Sequence, residues 1–130
     1  MQISKSSVLG NPEKGFKQFL QTLTSGRITI GALSIGTAQG AFNRALAYSE
    51  EREAFGKSIN GFQGISFKLS DMATQIEASW LMTLNAARLK VEGRPCLKEA
   101  SMAKLFASEM AERVCSGAIQ IHGGYGYLSD

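Results

Sequence analysis

NGFQGISFKLSDMATQIEASWLMTLNAARLKVEG, residues 60–93, decides the fold. Ile65, Leu69, Met72, Ile76 and Trp80 recur in steps of 4, 3, 4 and 4, which puts them on one stripe of an α-helix. Asp71, Gln75 and Glu77 fall between them. Asn60 is a good N-cap and Gly93 a good C-cap, so the spacing predicts one long helix between them. Phe67, Leu81 and Leu84 lie off the stripe and add apolar surface to it.

The same periodicity extends to both sides. Upstream, the spacing predicts a helical region over about 13–51, interrupted near 24–26 where Thr, Ser and Gly cluster. Ile28, Ile30, Leu33, Ala38, Ala41, Phe42, Ala45 and Leu46 supply its apolar positions. Gly31, Gly36 and Gly40 share that stretch. Each costs about 1 kcal/mol against Ala in a helix, so close packing must offset them. Downstream, Ala103, Ala107, Met110, Val114, Ala118 and Ile121 form the stripe of a third helix over about 97–121. Glu99 sits in its first turn, where the helix dipole favours an acid. Pro12 and Pro95 stand where helices would begin. Strand signals are absent, and residues 1–12 read as an irregular segment.

Three long helices with short connections imply an all-α, antiparallel up-and-down bundle over 13–130. Leu105 and Phe106 on the third helix join Phe67, Leu81 and Leu84 as apolar surplus. A fourth helix or a partner chain would cover it.

At 130 residues the chain is long enough for one domain with a buried core. The net charge of +3 is spread among acids, which is no nucleic-acid footprint. No run of apolar residues is long enough to span a membrane, and the first ten residues lack the apolar centre of a signal peptide. Cys96 and Cys115, read as lying on one helix, would stand some ~28 Å apart, too far for a disulfide. Two separate thiols suit a reducing compartment. With one histidine and no Cys-x-x-Cys, no metal site is legible.

Two motifs carry chemistry. In EEREAFGK, residues 50–57, Arg52 closes a helix and Phe55 stands between polar neighbours. A guanidinium there can grip a phosphate with Phe55 touching a ring. The plain alternative is a helix-terminal cation and a loop phenylalanine that tucks into the core. In QIHGGYGY, residues 120–127, Gly123, Gly124 and Gly126 leave backbone bare and able to meet a ligand. The alternative is a helix stop with a loose loop. The stretch is not GxGxxG and follows a helix, so the dinucleotide fingerprint fails. His122 reads as a capping or packing residue. Arg27 follows Gly26 near a predicted helix start, where a cation opposes the dipole and calls for a carboxylate or a bound anion. If the helix begins earlier, Arg27 is simply mid-helix.

Together, GFKQFLQTLTSGRITIGALSIGTAQGAF (15–42), EEREAFGKSINGFQGISFKLSDMAT (50–74), EASMAKLFASEMAERV (99–114) and QIHGGYGY (120–127) resemble the C-terminal helical domain of the acyl-CoA dehydrogenase family. The resemblance implies an FAD enzyme that oxidises acyl-CoA thioesters to 2,3-enoyl-CoA, assembles as a homo-oligomer and passes electrons to an electron-transfer flavoprotein. It implies that Arg52, Phe55 and Gln63 meet the flavin cofactor, with Arg52 at a neighbour's pyrophosphate. Gln120, Ile121, His122, Gly123 and Gly124 would receive its adenosine end, and Arg27 would line the acyl-CoA pocket. Residues 1–12 would end a preceding β-domain. The family's usual catalytic glutamate is expected beyond Asp130, and its alternative position is Gly26 here. No catalytic base is therefore assigned, and the chain alone is expected to be inactive. A bacterial protein of this kind would be cytoplasmic, a eukaryotic one mitochondrial. The competing readings are a helical oligomerisation module without retained chemistry, and a piece of an oxidase-like flavoenzyme that uses oxygen.

Overall fold

The computed structural model describes residues 4–128. Three α-helices dominate: α1 Gly15–Glu51, α2 Gln63–Val91 and α3 Leu97–His122. Short 3-10 turns occupy Lys5–Ser7, Pro12–Lys14, Ile59–Gly61 and Gly123–Tyr127. The chain is all-α in architecture, as the periodicity predicts. No helix among the described residues is long and apolar enough to cross a membrane.

Contacts between helices fix their directions. Lys90 Nζ donates to Ser25 Oγ, joining the end of α2 to the first half of α1. Arg113 Nε donates to Gln75 Oε1 at 3.1 Å, and Gly117 lies against Met72. So α2 runs antiparallel to both neighbours, and α1 and α3 are parallel.

The core follows steps of three and four in each helix. Buried positions are Leu69, Met72, Ile76, Ser79, Thr83, Ala86 and Leu89 on α2, and Ala100, Ala103, Ala107, Met110, Val114, Ala118 and Ile121 on α3. On α1 they are Gly31, Ile35, Ala38, Ala45 and Ser49. Steps of three and four are the seam of left-handed helix packing. This corrects the reading of Trp80, which is 48% exposed rather than core. The seam passes through Ser79 instead, about 100° away around the helix. Further along that seam the helices come close, with Gly31 facing Thr83.

Gly31 thus has its close approach, since an added Cβ would stand 3.2 Å from Thr83 Oγ1. Gly36 and Gly40 do not, because nothing lies within 4 Å of a Cβ at either position. Gly36→Ala and Gly40→Ala should therefore each raise the stability of this chain by about 0.5–1 kcal/mol in urea denaturation. The buried Thr83 hydroxyl has no hydrogen-bond partner among the described residues. Thr83→Val keeps the shape and removes an unpaired polar atom. It should stabilise by about 1 kcal/mol in the same assay.

Other expectations are corrected as well. α1 is continuous through 24–26. Thr24 Oγ1 donates to the Leu20 carbonyl at 3.2 Å and Thr29 Oγ1 to the Ser25 carbonyl at 3.3 Å, so these hydroxyls are absorbed inside the helix. Arg27 is accordingly mid-helix, and the dipole argument for a counter-anion falls away. Asn60 does not cap α2. It lies in a 3-10 turn and accepts from Ser58 Oγ at 2.9 Å, and the helix starts at Gln63 after Phe62. Two short strands, β1 Glu53–Ala54 and β2 Lys57–Ser58, pair antiparallel where no strand was expected. Cys96 precedes α3 rather than lying on it, and both cysteines are free. The α2 terminus does follow its sequence signal. Gly93 has φ +69°, and Arg94 N–H reaches the Leu89 carbonyl, closing the turn.

The apolar surplus is real at Phe67, Leu81, Leu84 and Leu105, which are exposed, whereas Phe106 is half-buried. α1 is also the longest helix, with 37 residues against 29 and 26. Its first turns carry exposed Phe16, Phe19, Leu20 and Leu23.

Candidate functional site

The ends of α1 and α3 meet at one end of the bundle, and the two motifs meet with them. Arg52 caps α1, its N–H donating to the Tyr48 carbonyl at 2.9 Å. The Arg52 carbonyl accepts from Ile59 N–H at 2.9 Å, which ties the β1–β2 hairpin back to the helix end. Opposite, α3 stops at His122, and Gly123 turns the chain with φ +59°. Gly126 lets the turn fold back on α3, since a Cβ there would stand 2.8 Å from the Ile119 carbonyl oxygen.

Between these ends lies a cleft of about 500 Å³, within the range of small-molecule sites. Tyr48, Arg52 and Ile59 form one wall, and Ile121, His122, Gly123, Gly124, Tyr125 and Leu128 the other. The Arg52 guanidinium carbon stands 5.9 Å from the centre of the Tyr125 ring. Arg52 is exposed and has no ion pair among the described residues. Gly123 and Gly124 have open space where side chains would project, so their backbone can be approached closely.

Of the sequence candidates, Arg52, Ile121, His122, Gly123 and Gly124 line this cleft. Ile121 is buried, so its side chain belongs to the core. His122 Nδ1 donates to the Ala118 carbonyl at 2.8 Å, and its ring stacks on Tyr48 with centroids 4.5 Å apart. That is a capping and packing role, and it leaves Nε2 without an assigned partner. Gln120 faces elsewhere, lining a polar groove with Lys68, Glu109 and Arg113.

Phe55 and Gln63 are also outside the cleft, on the adjoining hairpin and helix start. Phe55 is 97% exposed, so it does not tuck into the core. It has φ +54°, the only non-glycine positive φ among the described residues. With Gly56 at φ +81° it makes the two-residue turn of the hairpin. Asn-Gly suits such a turn, and a bulky residue there costs about 1–2 kcal/mol. Its ring meets Phe62 edge-on with centroids 6.3 Å apart. A strained, solvent-facing aromatic is a candidate ligand contact.

Arg27 lies towards the other end of the bundle. It borders a groove of about 540 Å³ that Lys17, Lys90 and Arg94 also line, together with Leu20, Pro95 and Leu97. On its other side a smaller hollow holds Gly26, Ile30 and Lys104. Neither is lined by a carboxylate. The structure therefore separates Arg27 from the Arg52 cleft.

Sequence reasoning missed Tyr48, the ring that joins the two motifs. The signal was its spacing. It precedes Arg52 by four residues and so lies one turn away on the same face of α1.

Comparison with known proteins identifies the family of the fold. The family described as acyl-CoA dehydrogenase, C-terminal domain, matches residues 13–130. The chain is 55% identical over 130 residues to Probable acyl-CoA dehydrogenase YngJ of Bacillus subtilis, covering all of this chain and 34% of that protein. It is 46% identical over 130 residues to the caffeyl-CoA reductase-Etf complex subunit CarC of Acetobacterium woodii, with the same coverage. Butyryl-CoA dehydrogenase from Megasphaera elsdenii superposes with a TM-score of 0.95 at 45% identity, over 97% of this chain and 33% of that one. The chain spans about a third of the length of these relatives. It belongs to the acyl-CoA dehydrogenase family, whose C-terminal helical domain it carries.

Proposed function

We propose that this chain is the helical part of a flavoenzyme that dehydrogenates acyl-CoA thioesters, and that its Arg52 cleft receives the pyrophosphate and adenosine portion of FAD. One observation carries this reading. An unpaired guanidinium, bare glycine backbone and aromatic rings converge on a single cleft. A planar cation suits pyrophosphate oxygens, and exposed amides add donors. The exposed Phe55 ring and the Gln63 amide stand on the adjoining hairpin and helix start, where they would extend the contact along the cofactor. Gln120 would complete it only if the cofactor reached across α3. When bound, the flavin would accept the hydride removed from the substrate.

Arg27 is assigned to the acyl-CoA pocket, where its charge would meet a polar group of the thioester. Residue 26, beside it, is glycine, and no carboxylate lines either hollow at Arg27. No residue here is assigned as the base. The 130-residue chain incubated with FAD, a panel of acyl-CoAs and a dye acceptor should show no turnover. Robust turnover would overturn that assignment.

Residues 1–12 are assigned to the end of a preceding β-domain. Self-association and docking of an electron-transfer flavoprotein belong to the same proposal, since the relative CarC is named for its Etf complex. The exposed Phe67, Leu81, Leu84 and Leu105 give association an apolar surface. The compartment follows the source: cytoplasm in a bacterium, mitochondrial matrix in a eukaryote.

A further inference from the structure

We infer that Tyr125, with the Tyr48 ring set against it, is a positioning residue that holds the Arg52 guanidinium over the cleft. The inference deepens the FAD reading above and rests on it. An arginine at the end of a helix has four side-chain torsions and, when exposed, samples many rotamers. Ordering it on binding costs affinity. Here the Tyr125 ring lies under the guanidinium before any ligand arrives.

The restraint is a closed circuit of contacts. The Tyr48 carbonyl accepts Arg52 N–H, which fixes the base of the side chain. The Tyr48 ring stacks on His122 at 4.5 Å with 25° between the planes. It also meets the Tyr125 ring at 6.3 Å, tilted by 54°. Tyr125 in turn lies beneath the guanidinium at 5.9 Å. The circuit leaves from the end of α1, crosses to the end of α3 and returns. His122 is held from below, because its Nδ1 is committed to the Ala118 carbonyl. Gly126 holds Tyr125 from behind by allowing the turn to lie against Ile119. No carboxylate takes part, so the guanidinium is steered by the Tyr125 ring face, which leaves its N–H donors free for an incoming anion.

A carboxylate partner would hold Arg52 more tightly and compete with the ligand for the same donors. An aromatic face orients the cation without neutralising it. That difference is why rings suit this position. The part of Tyr125 that matters is its ring face, not its hydroxyl.

The test uses the 130-residue chain with ADP and inorganic pyrophosphate as probes, so that ring stacking and bare pyrophosphate binding separate. Tyr125→Leu should weaken both by about three- to tenfold, while Tyr125→Phe and Tyr48→Phe bind as the parent does. The Arg52 Nε–Hε proton, shifted by the ring current in the parent, should move towards its free position in Tyr125→Leu alone. Tyr125 is more than half exposed, so helicity and melting temperature should hold in every variant. If Tyr125→Leu binds both probes as tightly as the parent, or leaves the Arg52 resonance in place, the positioning role is wrong. If the parent itself binds neither probe, the FAD reading fails and this inference fails with it.

Discussion

Met110→Ala is expected to lower the stability of the chain by about 3–5 kcal/mol, towards the upper end for a buried methionine. Met110 is fully buried, and among side chains buried to that degree it is the largest. It belongs to the core cluster that also holds Ala38, Ala45 and Ala107. Methyl groups on helix backbones cannot swing into the space that the thioether chain leaves. The cavity would therefore persist, and its residual volume adds to the lost transfer energy. A domain of this size has about 5–15 kcal/mol in total, so the variant should be partly unfolded near body temperature. Urea denaturation should show a lower midpoint with an unchanged slope. Met110→Leu fills nearly the same volume and should cost under about 1.5 kcal/mol. A Met110→Ala midpoint close to that of the parent would mean that the seam of α3 is not where the core lies.

Arg52→Ala should act in the opposite way, leaving stability nearly unchanged and removing ligand affinity. The side chain is exposed and forms no ion pair among the described residues, so the fold gains little from its charge. A hydrogen bond from guanidinium to phosphate contributes about 1.5–3 kcal/mol, which corresponds to roughly a ten- to hundredfold rise in the dissociation constant for FAD. Arg52→Lys should fall between, since an ammonium keeps the charge and loses the planar fork. Calorimetric titration with FAD, paired with a thermal melt of each variant, checks both halves. A clear drop in melting temperature alongside the loss of affinity would make Arg52 a structural residue.

Much of this is legible in the sequence. The helix count and the stripes of α2 and α3 follow from steps of three and four, and both helices end close to their glycine signals. On α1, by contrast, the expected Ile30 and Leu33 are exposed and the seam runs through Gly31, Ile35 and Ala38. What escaped were features set by tertiary context. Trp80 satisfies a local count, but the buried seam runs through Ser79 and Thr83, and Gly31 faces Thr83 at close range. Thr24 and Gly26 look like a break, yet backbone hydrogen bonding continues through them once α1 is held by its neighbours. The hairpin escaped because Phe55-Gly56 departs from the usual Asn-Gly turn.

The site divides in the same way. Arg52 and the glycines at 123 and 124 were recognisable by residue type, and the fold brings them to one cleft. Gln120 could not be placed from sequence, because its direction depends on the rotation of α3 against α2. Tyr48 and Tyr125 went unassigned for a related reason. An aromatic ring carries no functional signature until its partners are known, and those partners are 74 and 73 residues away in the chain: His122 for Tyr48, and Arg52 for Tyr125.

The claim that these pieces form one cofactor-receiving edge has a direct test. FAD titrated into the isotopically labelled chain should perturb the backbone amides of Arg52, Gly123 and Gly124 together, saturably and less strongly as salt is added. Phe55 and Gln63 should move with them if the cofactor extends along the hairpin. Perturbations confined to the Arg27 groove, or none at saturating FAD, would contradict the account.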